Sequence, residues 1–393
     1  MRQPKSRPMS ARVYLDHNAT SPLRPEARAA MLDALQTLGN PSSVHAEGRA
    51  AKALLEDARA AIAQAIGAER RSVVFTSGAT EAANLALTEA LRREGDEAPL
   101  DVLLIGAGEH HCVLQGHRFP SDAVETLPLT PEGVISLDAL EEALARRSGR
   151  RVMLALQAVN NETGVIQPVA EAAALIHAAK GVLVCDAVQS IGRLKTTFTT
   201  TDADIMFFSS HKLGGPMGVG ALAFRDESLH LEAPALRGGG QEFGRRAGTE
   251  NVAGIAGFAA ALTAATADLA GEASRLADLR DALERHVLKV APDARFYGSR
   301  APRAPNASAF SLPGLAPRTM LMALDLEKVA LSAGSACSSG KMTESHVLAA
   351  MGAAEREALR ASFGWSSTQE DVEQFGKVLA RVVDRMRSRH FAA

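Results

Sequence analysis

Short apolar runs rich in β-branched residues recur at 73–75, 101–105, 152–159, 182–185, 205–208 and 219–224, and longer Ala-rich stretches separate them. Each run has the length of a strand buried on both faces, while 81–93, 137–147 and 169–179 carry helical patterns. That alternation constrains the chain more than any other feature. It predicts an α/β domain with a mostly parallel sheet and crossover helices. Beyond residue 267 the pattern changes to a long charged helix over 272–290, then Pro-rich connectors at 301–305 and 313–317. Short strands and helices follow, ending in an amphipathic helix near 370–387. A chain of 393 residues exceeds one compact core, and the change of pattern puts a domain boundary near residue 265.

Composition excludes several classes. Lysine plus arginine number 43 against 45 aspartate plus glutamate, for a net charge of −2, so no global basic field exists to hold nucleic acid or an anionic membrane. Cys112, Cys185 and Cys337 are too few and too scattered for a disulfide framework and form no C-x-x-C pair. The first two adjoin apolar runs and read as core or near-core. The basic amino terminus has no apolar run behind it and does not read as a secretory signal. The longest uncharged stretch, 251–267, is too short to span a bilayer and reads as a buried helix. A cytoplasmic protein without direct nucleic-acid or membrane partners is expected.

In open α/β sheets ligands sit beyond the carboxyl ends of the strands. The first run is followed by TSGATE at 76–81, whose small residues can bring backbone N–H groups at a helix start onto a phosphate. An ordinary capped helix start looks the same. The fourth run ends at Asp186, with Gln189 three residues on, and the fifth leads into Ser209-Ser210-His211-Lys212 and a Gly-rich turn. Only nine lysines stand against 34 arginines, and Lys212 lies between an apolar run and glycines, where a lysine loses its proton cheaply. A carboxylate facing such a lysine across one crevice suits pyridoxal phosphate chemistry, in which the acid keeps the pyridine nitrogen protonated. Gly106-Ala107-Gly108 lacks the third glycine of a dinucleotide fingerprint. His110-His111-Cys112 are adjacent residues that do not converge on one metal ion; no metal site is expected. Residues 160–164, NNETG, read as a turn or as amides binding a ligand oxygen. Cys337 sits in SAGSACSSG, which has almost nothing to bury, so its thiol reads as chemical rather than structural.

Taken in order, these motifs resemble the cysteine desulfurases of the NifS/IscS-like type within the class V aminotransferase group. The likeness runs from YLDHNAT at 14–20 through GNPSS at 39–43, TSGATE, NNETG, DAVQS at 186–190 and SSHK at 209–212. It continues through GGGQEFGRRAGTEN at 238–251 and the Cys337 loop to LRASFG at 359–364. The resemblance implies the fold-type I architecture of pyridoxal phosphate enzymes, a large α/β domain with a mostly parallel central sheet plus a smaller α+β domain. On that division residues 1–25 pack with the small domain, 26–265 bind the cofactor, and 266–393 carry the cysteine loop. The long loop resembles the subgroup that serves iron–sulfur assembly.

The implied roles follow residue by residue. Lys212 is similar to the lysine that forms the internal aldimine and later shuttles a proton. Asp186 pairs with the pyridine nitrogen, Gln189 reaches the ring oxygen, and His110 stacks on the ring and assists proton transfer. Ala79, Thr80, Ser209 and His211 hold the phosphate, joined by Thr249 from the partner subunit of a homodimer. Asn161 and Arg360 orient the substrate, Arg360 through its carboxylate. Cys337 takes sulfur from L-cysteine as a persulfide, leaving L-alanine, and passes it to an iron–sulfur scaffold or another acceptor; it could transiently ligate a cluster. Ser210 stands where glycine is frequent and could crowd the phosphate side, and Ala158 stands where some relatives carry a larger polar or aromatic residue near the substrate. A selenocysteine lyase or another class V enzyme such as an aminotransferase is the alternative.

Overall fold

A computed structural model describes residues 12–95, 98–232, 234–333 and 344–390, with side chains up to 388. Among the described residues there are fifteen strands: β1 (Val13–Tyr14), β2 (Val73–Thr76), β3 (Leu91–Arg93), β4 (Val102–Gly106), β5 (Val124–Leu127), β6 (Val152–Gln157), β7 (Val182–Asp186) and β8 (Ile205–Ser209), then β9 (Gly220–Phe224), β10 (Leu229–Leu231), β11 (Arg295–Tyr297), β12 (Ala307–Ser311), β13 (Val329–Ala330), β14 (Ser332–Ala333) and β15 (Leu359–Ser362). The first helices are α1 (Pro25–Ala34), α2 (Ala46–Ile66), α3 (Ala79–Ala86), α4 (His111–Leu114), α5 (Leu137–Arg146), α6 (Val169–Ala178) and α7 (Phe198–Thr201). After them come α8 (Val252–Thr266), α9 (Leu269–Val290), α10 (Pro317–Leu326), α11 (His346–Ala350) and α12 (Gln369–His390).

Seven strands make the central sheet in the order β2-β9-β8-β7-β6-β4-β5. The five from β8 to β5 are parallel, and β9 runs antiparallel to both its neighbours. Their apolar residues alternate between two cores. Phe75, Leu104, Leu154, Leu183, Met206 and Phe208 face one side with α2 and α8, while Val74, Leu103, Met153, Val184 and Phe207 face the other with α3. Burial on both faces is why these strands read as unbroken apolar runs. Helix α2 stops where Gly67 adopts φ 69°, a left-handed cap that returns its N–H to Ala63.

A separate core gathers Leu276, Leu283, Phe310, Leu324, Phe363 and Phe375 beneath the antiparallel sheet β11-β12-β15-β14. Val13 and Leu15 belong to this core, and β1 pairs in parallel with β13. The uncharged stretch 251–267 forms α8, whose Ile255, Phe258 and Leu262 are buried. Among the described residues no single helix is long and apolar enough to cross a membrane; α8 and α9 meet that test only as a pair bent by 76°. One helix expectation fails. The stretch 81–93 is helical only through Ala86, because Leu91 to Arg93 pair antiparallel with β10 and bury Leu91 and Leu229. Long-range pairing there overrides local helix propensity.

Candidate active site

The carboxyl ends of β2, β6, β7 and β8 open on one side of the central sheet into a cavity of about 630 Å³. Ala79, Thr80, His110, Asn161, Asp186, Gln189, Ser209, His211, Lys212 and Arg360 all line it. Thr249 does not. It is exposed, beside a smaller cavity that shares the Ser77 and Gly218 walls. Cys337 lies outside the described residues.

Asp186 ends β7, fully buried beside Gln157 of β6 in the parallel register. Its Oδ1 accepts the Val188 N–H at 2.9 Å. Burial pushes its carboxyl up to about 6, against that backbone bond and the Lys212 cation, which both favour the ionised form. Lys212, one turn past β8, donates from Nζ to the carbonyls of Asn18 at 2.6 Å and Ala19 at 2.8 Å. The amino-terminal segment thus holds the lysine head at the cavity wall.

The histidines are held neutral. The Nδ1 of His110 accepts the Cys112 N–H at 3.1 Å, which leaves the proton on Nε2. Burial and then the Lys212 charge lower its pKa to about 4. Burial and Lys212 likewise bring His211 to about 4, and its Nδ1 lies 3.2 Å from Thr20 Oγ1. Gln189 is used at both ends, donating to the Asn18 carbonyl at 3.1 Å and accepting from Arg193.

Arg360, on β15, reaches the cavity from the second sheet. Its Nη1 donates to the Asn161 carbonyl at 3.0 Å and its Nη2 to Asp16 at 2.8 Å. Its Nε and the Oδ1 of Asn161 are buried without a hydrogen-bond partner. Unpaired groups of this kind are costly unless a ligand completes them. At the other end, α3 starts beside Gly78, where an added Cβ would meet nothing within 4 Å. The space in front of that helix start is open.

Ser210 does not crowd the cavity. Its hydroxyl points into the core, so close to Gly215 that a Cβ there would come within 2.1 Å of it. Ala158 is buried and uses its N–H to bind the Asp186 carbonyl at 2.8 Å. Cys112, read as core or near-core, is nearly buried yet lines the cavity.

Three contributors were not named among the site residues expected from the sequence. Arg193 is buried and donates to the carbonyls of Gln189 and Lys212 at 3.1 Å each, fixing the lysine backbone. Glu109 is buried behind the strand ends, its Oε1 accepting the Gln157 N–H at 2.9 Å and its Oε2 without a partner. Burial holds its carboxyl well above the usual range. The Asn18 and Ala19 carbonyls are the third. Among the described residues no three His, Cys, Asp or Glu side chains gather as metal ligands.

The arrangement offers a buried acid, a lysine, neutral imidazoles and a guanidinium in one cavity. Residues 13–375 match the family model described as aminotransferase class-V. The chain is 37% identical over 391 residues to a cysteine desulfurase IscS of Dictyoglomus turgidum, covering 97% of this chain and 96% of that one. An IscS-like cysteine desulfurase of Mycobacterium tuberculosis is also 37% identical, with 97% and 98% covered. Among solved structures, a NifS-like protein from Rickettsia africae superposes with TM-score 0.85 at 30% identity, over 95% of this chain and all of that one.

Proposed function

The chain belongs to the aminotransferase class-V family as a pyridoxal phosphate-dependent cysteine desulfurase, and we propose that the cavity between Asp186 and Lys212 is where it draws sulfur from L-cysteine. The relatives favour this activity over a selenocysteine lyase or an aminotransferase. What carries the assignment of the site is the convergence of buried Asp186, Lys212 and Arg360 on one cavity.

The residues present fit the cofactor. Asp186 is a buried carboxylate with one backbone donor, and a protonated ring nitrogen completes it. The open space before α3, flanked by Ala79, Thr80, Ser209 and His211, takes a phosphate at a helix amino terminus. His110 and Gln189, which line the same cavity, would hold the ring. When bound, the cofactor supplies an electron sink for the carbanion at the substrate α-carbon.

The protein's own groups do the rest. Lys212 would hold the cofactor through Nζ, and the same amine would be the group that carries the substrate α-proton. Arg360 Nε, a buried donor without a partner, binds the substrate carboxylate, and Asn161 beside it, whose open Oδ1 accepts rather than donates, helps to orient the substrate. His110, neutral with its proton on Nε2, is set to donate that proton. Cys337 as thiolate takes the substrate sulfur into an S–S bond. The electrons of the broken C–S bond stay with carbon, which is protonated to give alanine.

The working unit in this reading is a homodimer in which Thr249 reaches the partner's phosphate, since it is exposed and away from its own cavity. The persulfide passes to an iron–sulfur scaffold or another thio-acceptor in the cytoplasm. The test is alanine and sulfide release from L-cysteine with a thiol reductant. Lys212→Ala should abolish the yellow absorbance of lysine-linked cofactor, and Cys337→Ala should keep it yet release no sulfide. Full activity in either variant defeats the assignment.

A further inference from the structure

The outer edge of the central sheet is closed by side chains rather than by a strand. β2 is the edge strand, and its outward Phe75 N–H donates to Glu242 at 2.7 Å while its Val73 carbonyl accepts from Arg59 at 2.7 Å. Arg59 and Glu242 bind each other through two bonds of 2.7 and 2.8 Å, both fully out of solvent. The guanidinium lies 4.8 Å from the Phe75 ring and 5.0 Å from Phe243.

What the pair holds is an unfavourable backbone. Glu242 has φ 50° and ψ 41°, and Phe243 has φ 59° and ψ 30°, followed by Gly244 at φ 76°. Successive side-chain-bearing residues avoid the left-handed region unless their surroundings impose it. Further along the same segment, Arg246 binds Glu81 of α3 at 2.8 Å, and Glu81 also accepts the Ser77 N–H. Gly248 N–H is tied back to Gln241 at 3.1 Å. The segment is therefore pinned at Glu242 and at Arg246, and immediately beyond the second pin it presents Thr249 to solvent.

We propose that the Arg59–Glu242 and Arg246–Glu81 pairs fix the strained segment 241–250 and thereby position Thr249 for the phosphate across the dimer. Each subunit's anchor then governs cofactor retention in the other subunit's cavity. The inference rests on reading Thr249 as a phosphate ligand across a dimer. It adds Arg59 and Glu242 as positioning residues acting on a site in the other chain.

Hybrid dimers separate that from a structural role. Lys212→Ala silences the yellow absorbance of one chain, so a hybrid reports from a single site. In the first hybrid Glu242→Gln shares a chain with Lys212→Ala, and the reporting site of the unchanged partner faces the altered segment. In the second, Glu242→Gln sits alone opposite a Lys212→Ala chain, and the reporting site faces an unaltered segment. The apoprotein hybrids are titrated with pyridoxal phosphate beside a hybrid carrying Lys212→Ala alone. The half-saturating concentration should rise about tenfold in the first hybrid, as for one lost charged hydrogen bond, and stay unchanged in the second. An equal rise in both, or a rise in the second alone, overturns the proposal. Phe243→Gly repeats the comparison with the buried pair intact, since Phe243 is exposed and glycine tolerates its φ. Light scattering showing a monomer would instead refute the dimer reading itself, before any titration is made.

Discussion

Replacing Asp186 by asparagine should stabilise the cofactor-free protein. Asparagine keeps an Oδ1 to accept the Val188 N–H, so the change removes only the charge. The carboxyl titrates at about 6 in the fold against 3.8 unfolded, because burial opposes its ionisation. A raised acid pKa makes ionisation unfavourable to folding. That penalty is absent below the unfolded value, grows as pH rises through the interval, and is complete above the folded value. Two pKa units correspond to about 3 kcal/mol at about pH 8, and roughly half of that survives at about pH 5. Urea unfolding of the two apoproteins at both pH values measures the difference. The variant should be the more stable, by an amount that shrinks toward acid. With pyridoxal phosphate present the order should reverse, since the wild-type carboxylate then has its cation. An asparagine apoprotein no more stable than wild type at the higher pH, or a gap independent of pH, would refute the reasoning.

Other outcomes follow from the same geometry. Acid should destabilise the apoprotein through His17, His110 and His211, brought to about 3, 4 and 4 chiefly by burial. Their contribution is full above the unfolded value near 6.5 and is lost as pH falls toward their folded values, so unfolding midpoints should drop over that range and drop less in His211→Asn. Arg360→Lys keeps a charge but loses the planar fork, and kcat/KM for L-cysteine should fall about a hundredfold with cofactor content unchanged. Equal loss of cofactor would contradict that role. Arg193→Ala leaves the Gln189 and Lys212 carbonyls without their donor and should cost about 3 kcal/mol in unfolding measurements, with weaker cofactor binding beside it.

The central sheet was legible because strands buried on both faces are written as continuous apolar runs, and the polar residues that end them line the cavity. Asp186, Ser209 and Lys212 are therefore visible from local context alone. The strand β3 was not, since Leu91 is committed to the sheet only by Leu231 across a long loop. Glu109 directly precedes a predicted site histidine, yet nothing local says that its carboxyl is buried without a cation. Arg193 is one of 34 arginines and gains its role from carbonyls brought to it by the fold. The contact of Lys212 with the Asn18 carbonyl joins residues 194 positions apart, a separation at which no pattern in the chain operates.

The strand β1 and the turn after it give the protein an order of assembly. Asp16 meets Arg360 and the Asn18 N–H meets Ser362, each across 344 positions. The first described residues to leave the ribosome are thus held by some of the last. The central sheet can collapse as its βα units emerge, but these two contacts of the amino-terminal segment form only after β15 is made. Nascent chains stalled before residue 359 should bind cofactor weakly, and contacts of such long range place completion of the site late in folding. An enzyme whose chemistry releases a reactive sulfur species thereby gains its competence only when synthesis is nearly over.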